Sequence, residues 1–266
     1  MITELCPDHI YRRAEGVNQS TLKAFSDCPA AVLLAESTKS KPSSSQVLGL
    51  LTESLVFGTK FTYTQSPFDS YRTKEAREWR DAQLDAGITV ATEEQMSKAH
   101  AMAEAVKNCT DAAALLRRGA PSTAVFHTDP TTGLALKGLL DWQSEEVEVN
   151  GKPVIVDLKT AEDPSPRGFA KAVASWRYDI QDAWYTDLWK SETDEARQFV
   201  FIVVGNEKPH AVGVYMLRDE QRSAAREQAR AWLDRYAGHK ASGVWPASYG
   251  GGIQYVDVAA WTREVR

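Results

Sequence analysis

Asp141, Asp157 and Lys159 are the residues whose types and spacing could do chemistry. Asp157-Leu158-Lys159 closes an apolar run, Pro153-Val154-Ile155-Val156, rich in the β-branched residues that favour strands. Residues two apart on a strand share a face, so Asp157 and Lys159 project together. Carboxylates suit Mg²⁺, which takes oxygen ligands and keeps several waters. Such a metal polarises a phosphate ester and supplies a nucleophile at neutral pH, while a nearby ammonium offsets transition-state charge. The chemistry this set points to is phosphodiester hydrolysis.

Spacing alone decides nothing. A chain of this composition should hold about two acid-x-lysine matches by chance, and strand-end charges are usually solvated. The positioning elements carry the argument. Asn150-Gly151 is a strong hairpin signal joining Glu146–Val149 to Lys152–Lys159. Leu134 to Trp142 reads as a further strand with Asp141 near its end. Three adjacent strands are thus expected to gather two carboxylates and an ammonium. A helix over Tyr178 to Lys190 follows, with Gln181 and Tyr185 four apart on one face.

The order G-x-x-D (Gly138 to Asp141), I-V-D-L-K-T (Ile155 to Thr160) and Q-x-x-x-Y (Gln181 to Tyr185) resembles the PD-(D/E)XK nucleases. Within them it looks like the RecB-type branch, and most closely the RecE or exodeoxyribonuclease VIII family of phage recombination exonucleases. Tyr71-Arg72-Thr73-Lys74 through Glu78-Trp79-Arg80, the Glu94 to Val106 segment and the Trp245-Pro246 to Trp261 tail extend the likeness over nearly the whole chain.

The resemblance implies a Mg²⁺-dependent exonuclease, with Mn²⁺ able to substitute, that digests linear duplex DNA 5′→3′. It leaves 3′ single-stranded tails for a single-strand annealing protein, and works as a ring-like homo-oligomer. Asp141, Asp157 and the Leu158 carbonyl would bind metal, Lys159 would activate water, and Gln181 and Tyr185 would hold the scissile strand. The family places a ligand histidine in G-x-x-x-H; here Gly49 is followed by Glu53, a competent Mg²⁺ ligand or an ordinary helix-surface acid. Three cysteines, Cys6, Cys28 and Cys109, cannot supply the four-cysteine iron–sulfur cluster of some RecB-type relatives.

Composition sets the bounds. A chain of 266 residues with 43% hydrophobic and 25% charged residues fits one globular nuclease domain. We divide it into a mainly helical part (1–118), an α/β core with a mixed sheet flanked by helices (119–240) and a tail (241–266). A net charge of −5 does not advertise a nucleic-acid binder, so basic clusters matter more than the total. No apolar leader or span of about 18 residues occurs, which points to the cytoplasm and no membrane partner.

Two basic clusters are candidate DNA contacts. Arg72, Lys74, Arg77 and Arg80 surround Trp79 on a helix expected over Tyr71 to Ala86. Arg222, Arg226 and Arg230 form a stripe at four-residue spacing on a helix expected over Asp219 to Tyr236. Both could equally be ion-paired surface. Asn18 caps a helix through Phe25 assigned to packing, and Thr160 to Gly168 reads as a loop over the site. Two rivals stay open: a nuclease with single-strand or endonucleolytic specificity, and a catalytically weak DNA-binding module.

Overall fold

The computed structural model describes residues 1–37, 42–59, 63–248 and 253. The elements in chain order are β1 (Ile2–Thr3), α1 (Asp8–Arg13), α2 (Gln19–Asp27), α3 (Ala31–Ser37), α4 (Ser44–Phe57), β2 (Tyr63–Gln65), α5 (Lys74–Asp85), β3 (Thr89–Ala91), α6 (Glu93–Asn108) and α7 (Thr110–Leu115). There follow β4 (Ala120–Thr128), β5 (Ala135–Val149), β6 (Lys152–Ala161), α8 (Pro166–Trp176), α9 (Tyr178–Thr193), β7 (Gln198–Gly205), β8 (Val212–Tyr215) and α10 (Asp219–Ser242). The main sheet runs β1-β4-β5-β6-β7-β8, and β2 pairs with β3 in a small second sheet. All main-sheet pairs are antiparallel except β6 with β7, whose parallel pairing needs the α8–α9 crossover.

The hairpin forms where the dipeptide predicts it. Val149 pairs with Lys152, and Asn150 and Gly151 take φ values of 52° and 70°, as a tight turn with both central residues left-handed requires. The strands before it differ from expectation. Leu134–Trp142 and Glu146–Val149 are not two strands but one, β5, which bulges between Ser144 and Glu148. The Ser144 hydroxyl accepts the Glu146 and Val147 N–H groups there, so the bulge costs the backbone no unpaired donors.

Two apolar layers cover the sheet. Ile155, Phe199, Phe201 and Val203 pack under α2, α8, α9 and α10, with Phe25, Ile180, Trp184 and Leu233. Val154, Val156, Leu158, Val200, Ile202 and Val204 pack under α4 and α6, with Leu51, Met102 and Val106. Strand β7 is buried along its whole length, the result expected of a continuous apolar run. The alternation on β6 therefore assigns Asp157 and Lys159, which share parity with Ile155, to the α9 side.

Capping explains the helix starts. Asn18, Ser43, Thr73 and Thr92 each accept an N–H from the first turn of α2, α4, α5 and α6. Because Thr73 is the cap, the expected helix over 71–86 begins at Lys74. The Thr160 to Gly168 segment is mostly not loop: β6 runs to Ala161 and α8 starts at Pro166, capped by Ser165. Trp245 and Pro246 dock the tail. The indole packs on Tyr236 and His239, and the Pro246 carbonyl accepts the Ala30 N–H. Trp261 lies outside the described residues. Among the described residues no helix is long and apolar enough to cross a membrane.

Candidate active site

The site forms where two neighbouring strands part. The β5–β6 pairing ends at Trp142 with Val156. Beyond it β5 stays paired with β4, and β6 with β7. Asp141 stands at this opening. Its Oδ2 accepts the Leu158 N–H at 3.1 Å, taking the place of a ladder bond that the parted strands no longer make. In an extended strand the N–H and C=O of one residue point to the same side, so the Leu158 carbonyl faces the same gap. Across β5 from Asp141, Ser122 has a left-handed φ of 49°, a local distortion of β4 at the same level.

Asp157, only 1% exposed, is held from two directions. Gln181 Nε2 on α9 donates to Oδ1, and the Lys159 ammonium makes an ion pair with Oδ2. Burial alone would lower the pKa of Lys159, but the Asp157 and Asp141 carboxylates outweigh it and hold the ammonium above its ordinary value. Lys159 Nζ also lies 4.7 Å from the centroid of the Tyr178 ring.

Glu53 comes from the opposite layer, on α4, and enters the same electrostatic field. Burial, then the Asp157 carboxylate, pushes it up to about 7 against the pull of Lys159. Burial, then Asp157 and Glu53, raises Asp141 well above the usual carboxylate range. Three carboxylates thus share one ammonium. Glu53 is half-buried on α4, with Asp157 and Lys159 among the charges that act on it.

The donor set fits a divalent cation. Neighbouring carboxylates, with Asp141 and Glu53 raised by burial and by the charge of Asp157, are the chemistry that a hard cation relieves. The fit lies in the donors and not in a finished cage. Among the described residues no three acid, histidine or cysteine groups are clustered as a ready ligand set. Here Asp157 is engaged by Gln181 and Lys159, and Asp141 by the Leu158 N–H.

Several sequence expectations are corrected. Gln181, 6% exposed, donates its amide to Asp157. Tyr185, 7% exposed, belongs to the core under α9, near Phe199. Gly138 of G-x-x-D explains its position: a Cβ there would come within 3.1 Å of the Tyr185 ring and 3.0 Å of Leu188. The glycine lets α9 lie close on β5, and Tyr185 packs there in place of touching substrate.

The arginine stripe on α10 is structural. Arg222 is 5% exposed, donating to Asp182 Oδ1 at 3.2 Å and to Gln198 Oε1 at 2.8 Å. Arg226 pairs with Asp187 at 2.7 Å, and Arg230 with Asp129 at 2.8 Å and with Asp234. These bonds tie α10 to α9 and to the turn after β4, so Arg222 is no DNA contact and Arg226 is already engaged. Arg72, just before α5, and Lys74 and Arg77 on it are exposed. Lys74 pairs with Glu78, Arg77 donates to the Arg72 carbonyl, and Arg80 pairs with Asp81 over the Tyr71 ring. This cluster lies within α5 and its first turn and is not bonded to the carboxylates.

One site residue escaped the sequence. Lys23, assigned to packing, donates from Nζ to the Trp176 carbonyl at 3.0 Å and lies 5.7 Å from the Tyr178 centroid. Burial, then the nearby Lys159 ammonium, lowers it to about 8. Nothing in Thr21-Leu22-Lys23 signals this, because α2 and α9 meet only in the fold.

A family model described as "PDDEXK-like domain of unknown function (DUF3799)" matches residues 18–259. A structure from Eubacterium rectale named "Putative exonuclease" superposes with a TM-score of 0.63 over 97% of this chain and 98% of that chain, at 12% identity. At that identity the likeness shows the fold alone, a mixed sheet flanked by helices. A second structure, SSO0001, aligns with a TM-score of only 0.31 and 14% identity over 71% of this chain and 84% of that chain, and bears no argument. A search of curated sequences found no match.

Proposed function

The chain belongs to the PDDEXK-like family, and from that premise we propose that it is a Mg²⁺-dependent exodeoxyribonuclease, served also by Mn²⁺, that digests linear duplex DNA from its ends. The observation that carries the reading is the constellation at the parted strands: Asp157 paired with Lys159, Asp141 on the Leu158 N–H, and Glu53 within reach of their charges.

Asp141, Asp157, Glu53 and the Leu158 carbonyl would hold the metal. When bound, it supplies Lewis acidity at the scissile phosphate and eases deprotonation of water. The chain's own groups do the rest. Lys159, kept charged by its acid neighbours, positions the attacking water and offsets charge that develops on the phosphate. Gln181 fixes the Asp157 carboxylate so that little reorganisation is left for the reaction. Lys23 adds a second ammonium on the outer side of Tyr178, where it can meet a neighbouring phosphate.

Within the nucleases we read the chain as RecE-like. It would proceed 5′→3′ and leave 3′ tails for a single-strand annealing partner in phage recombination. A ring-like homo-oligomer in the cytoplasm would thread the duplex, keeping a chain of net charge −5 on DNA without high bulk charge. Exposed Arg72, Lys74 and Arg77 on and before α5 remain the candidate backbone contacts.

Incubation of the purified chain with 5′-phosphorylated linear duplex and with closed circular duplex, in Mg²⁺ or EDTA, tests this. Loss of the linear DNA alone, dependent on Mg²⁺ and absent in Lys159→Ala, is expected. Cutting of the circle would replace the exonuclease with an endonuclease. Digestion that stops as soon as a DNA trap is added would count against a threaded ring.

A further inference from the structure

Trp176 belongs to neither apolar layer. It is 65% exposed, whereas Trp184, Trp189 and Trp232 are 3–6% exposed. Its position is nevertheless fixed. Arg177, the next residue, has a left-handed φ of 51° and breaks the chain between α8 and α9. That break sends α9 back into the core and leaves the indole outside. Arg177 is itself clamped by Asp179 at 2.9 Å and stacked 4.8 Å over the Trp232 ring. Lys23 then pins the junction through the Trp176 carbonyl.

The indole also stands beside the chemistry. Tyr178, two residues on, carries Lys159 at 4.7 Å and Lys23 at 5.7 Å from its ring centroid. Arg167 and Lys171 are exposed as well, but at about 100° per residue they lie on the far side of α8 from Trp176. A rigid, exposed aromatic whose own carbonyl is held by one lysine, and whose near neighbour Tyr178 faces two, matches one ligand chemistry: a polyanion carrying flat, apolar faces. Each nucleobase has such a face, but within a duplex both sides are covered by neighbours.

On the nuclease reading above, we infer that Trp176 is a stacking platform for an unpaired nucleobase of the DNA strand held at the catalytic centre, with Lys23 meeting a phosphate beside it. The active strand is therefore single-stranded at this point, so a duplex end must fray before it is cut. The indole is an exposed residue that the core does not use, so its replacement leaves the fold intact.

The test uses the full chain carrying Asp157→Asn to block cleavage, in Mg²⁺. Binding of a short 5′-phosphorylated, 3′-fluorescent oligothymidylate is followed by anisotropy. Trp176→Ala should weaken binding by about 5- to 100-fold, the range set by base–aromatic stacking, and Trp176→Phe should recover most of it. With an abasic oligonucleotide the parent and Trp176→Ala should bind alike. Equal oligothymidylate binding by parent and Trp176→Ala, no binding by the parent, or a loss confined to blunt duplex ends would each overturn the platform. Cleavage by the unsubstituted chain separates this from the nuclease reading. Trp176-dependent binding without cleavage keeps the platform and removes the nuclease; cleavage with Trp176-independent binding does the reverse.

Discussion

Two buried charge groups lie on either side of a single turn of α9. Gln181 faces the first, where Asp141, Asp157 and Glu53 crowd one ammonium. Asp182, the next residue, faces the second, where Arg222 is shared between Asp182, Gln198 and Asp219, and Arg226 meets Asp187. In the second group each arginine bonds an acid on α9, Arg222 with Asp182 and Arg226 with Asp187. In the first, one ammonium pairs with Asp157, and the neighbouring Asp141 and Glu53 are raised by burial and by Asp157. Matched buried charge fixes elements together at a high cost if one partner is lost. Mismatched buried charge is a standing cost that only a ligand relieves, which is why the first group reads as the site and the second as scaffold.

Substitutions in each group should therefore fail in different ways. Lys159→Ala is expected to lower DNA cleavage by about 10²–10⁴-fold with little loss of stability, measured by a cleavage time course beside urea denaturation. A matching loss of stability would erase the distinction. Arg222→Ala should cost about 3–5 kcal/mol in urea denaturation, because it leaves the buried Asp182 carboxylate without its main partner.

The pH profile sharpens the contrast. Burial, against the pull of Arg222 and Arg226, pushes Asp182 up to about 7 in the folded chain, while the unfolded value is about 3.9. The folded state then holds more protons than the unfolded one between these values, so this group's contribution falls as pH rises from about 4 to about 7 and is flat above. Asp182→Asn should remove that slope from the stability curve, read by denaturation at several pH values. An unchanged slope would mean that Asp182 is ionised throughout. Arg226→Ala, half exposed and paired with Asp187, should cost no more than about 1 kcal/mol.

Much of this was legible in residue order. The Asn150-Gly151 turn, the parity of Asp157 with Lys159 and the buried run of β7 are local signals, and each has a local cause. The rest depends on which elements meet. Arg222 and Arg226 look like a surface stripe because four-residue spacing reports a shared helix face, not whether another helix covers it. Tyr185 looks like a substrate contact until Gly138 is seen to make room for its ring. Lys23 is silent in sequence because its partners, Trp176 and Tyr178, are more than 150 positions away. Helix α8 was hidden because its prolines and glycine resemble a loop, although Pro166 occupies the first helical position, where it is tolerated.

The adjacency of Gln181 and Asp182 has a mechanical side. Successive residues on a helix are turned by about 100°, so the bond from Asp182 to Arg222 sets the rotational phase of α9 as a key sets a shaft. Gln181 inherits that phase, and with it the aim of its amide at Asp157. A few degrees of slip at the arginine would swing the amide off the carboxylate without any change beside the site itself. The Asp157 carboxylate is thus aimed, at one remove, by an arginine on α10 that faces away from it.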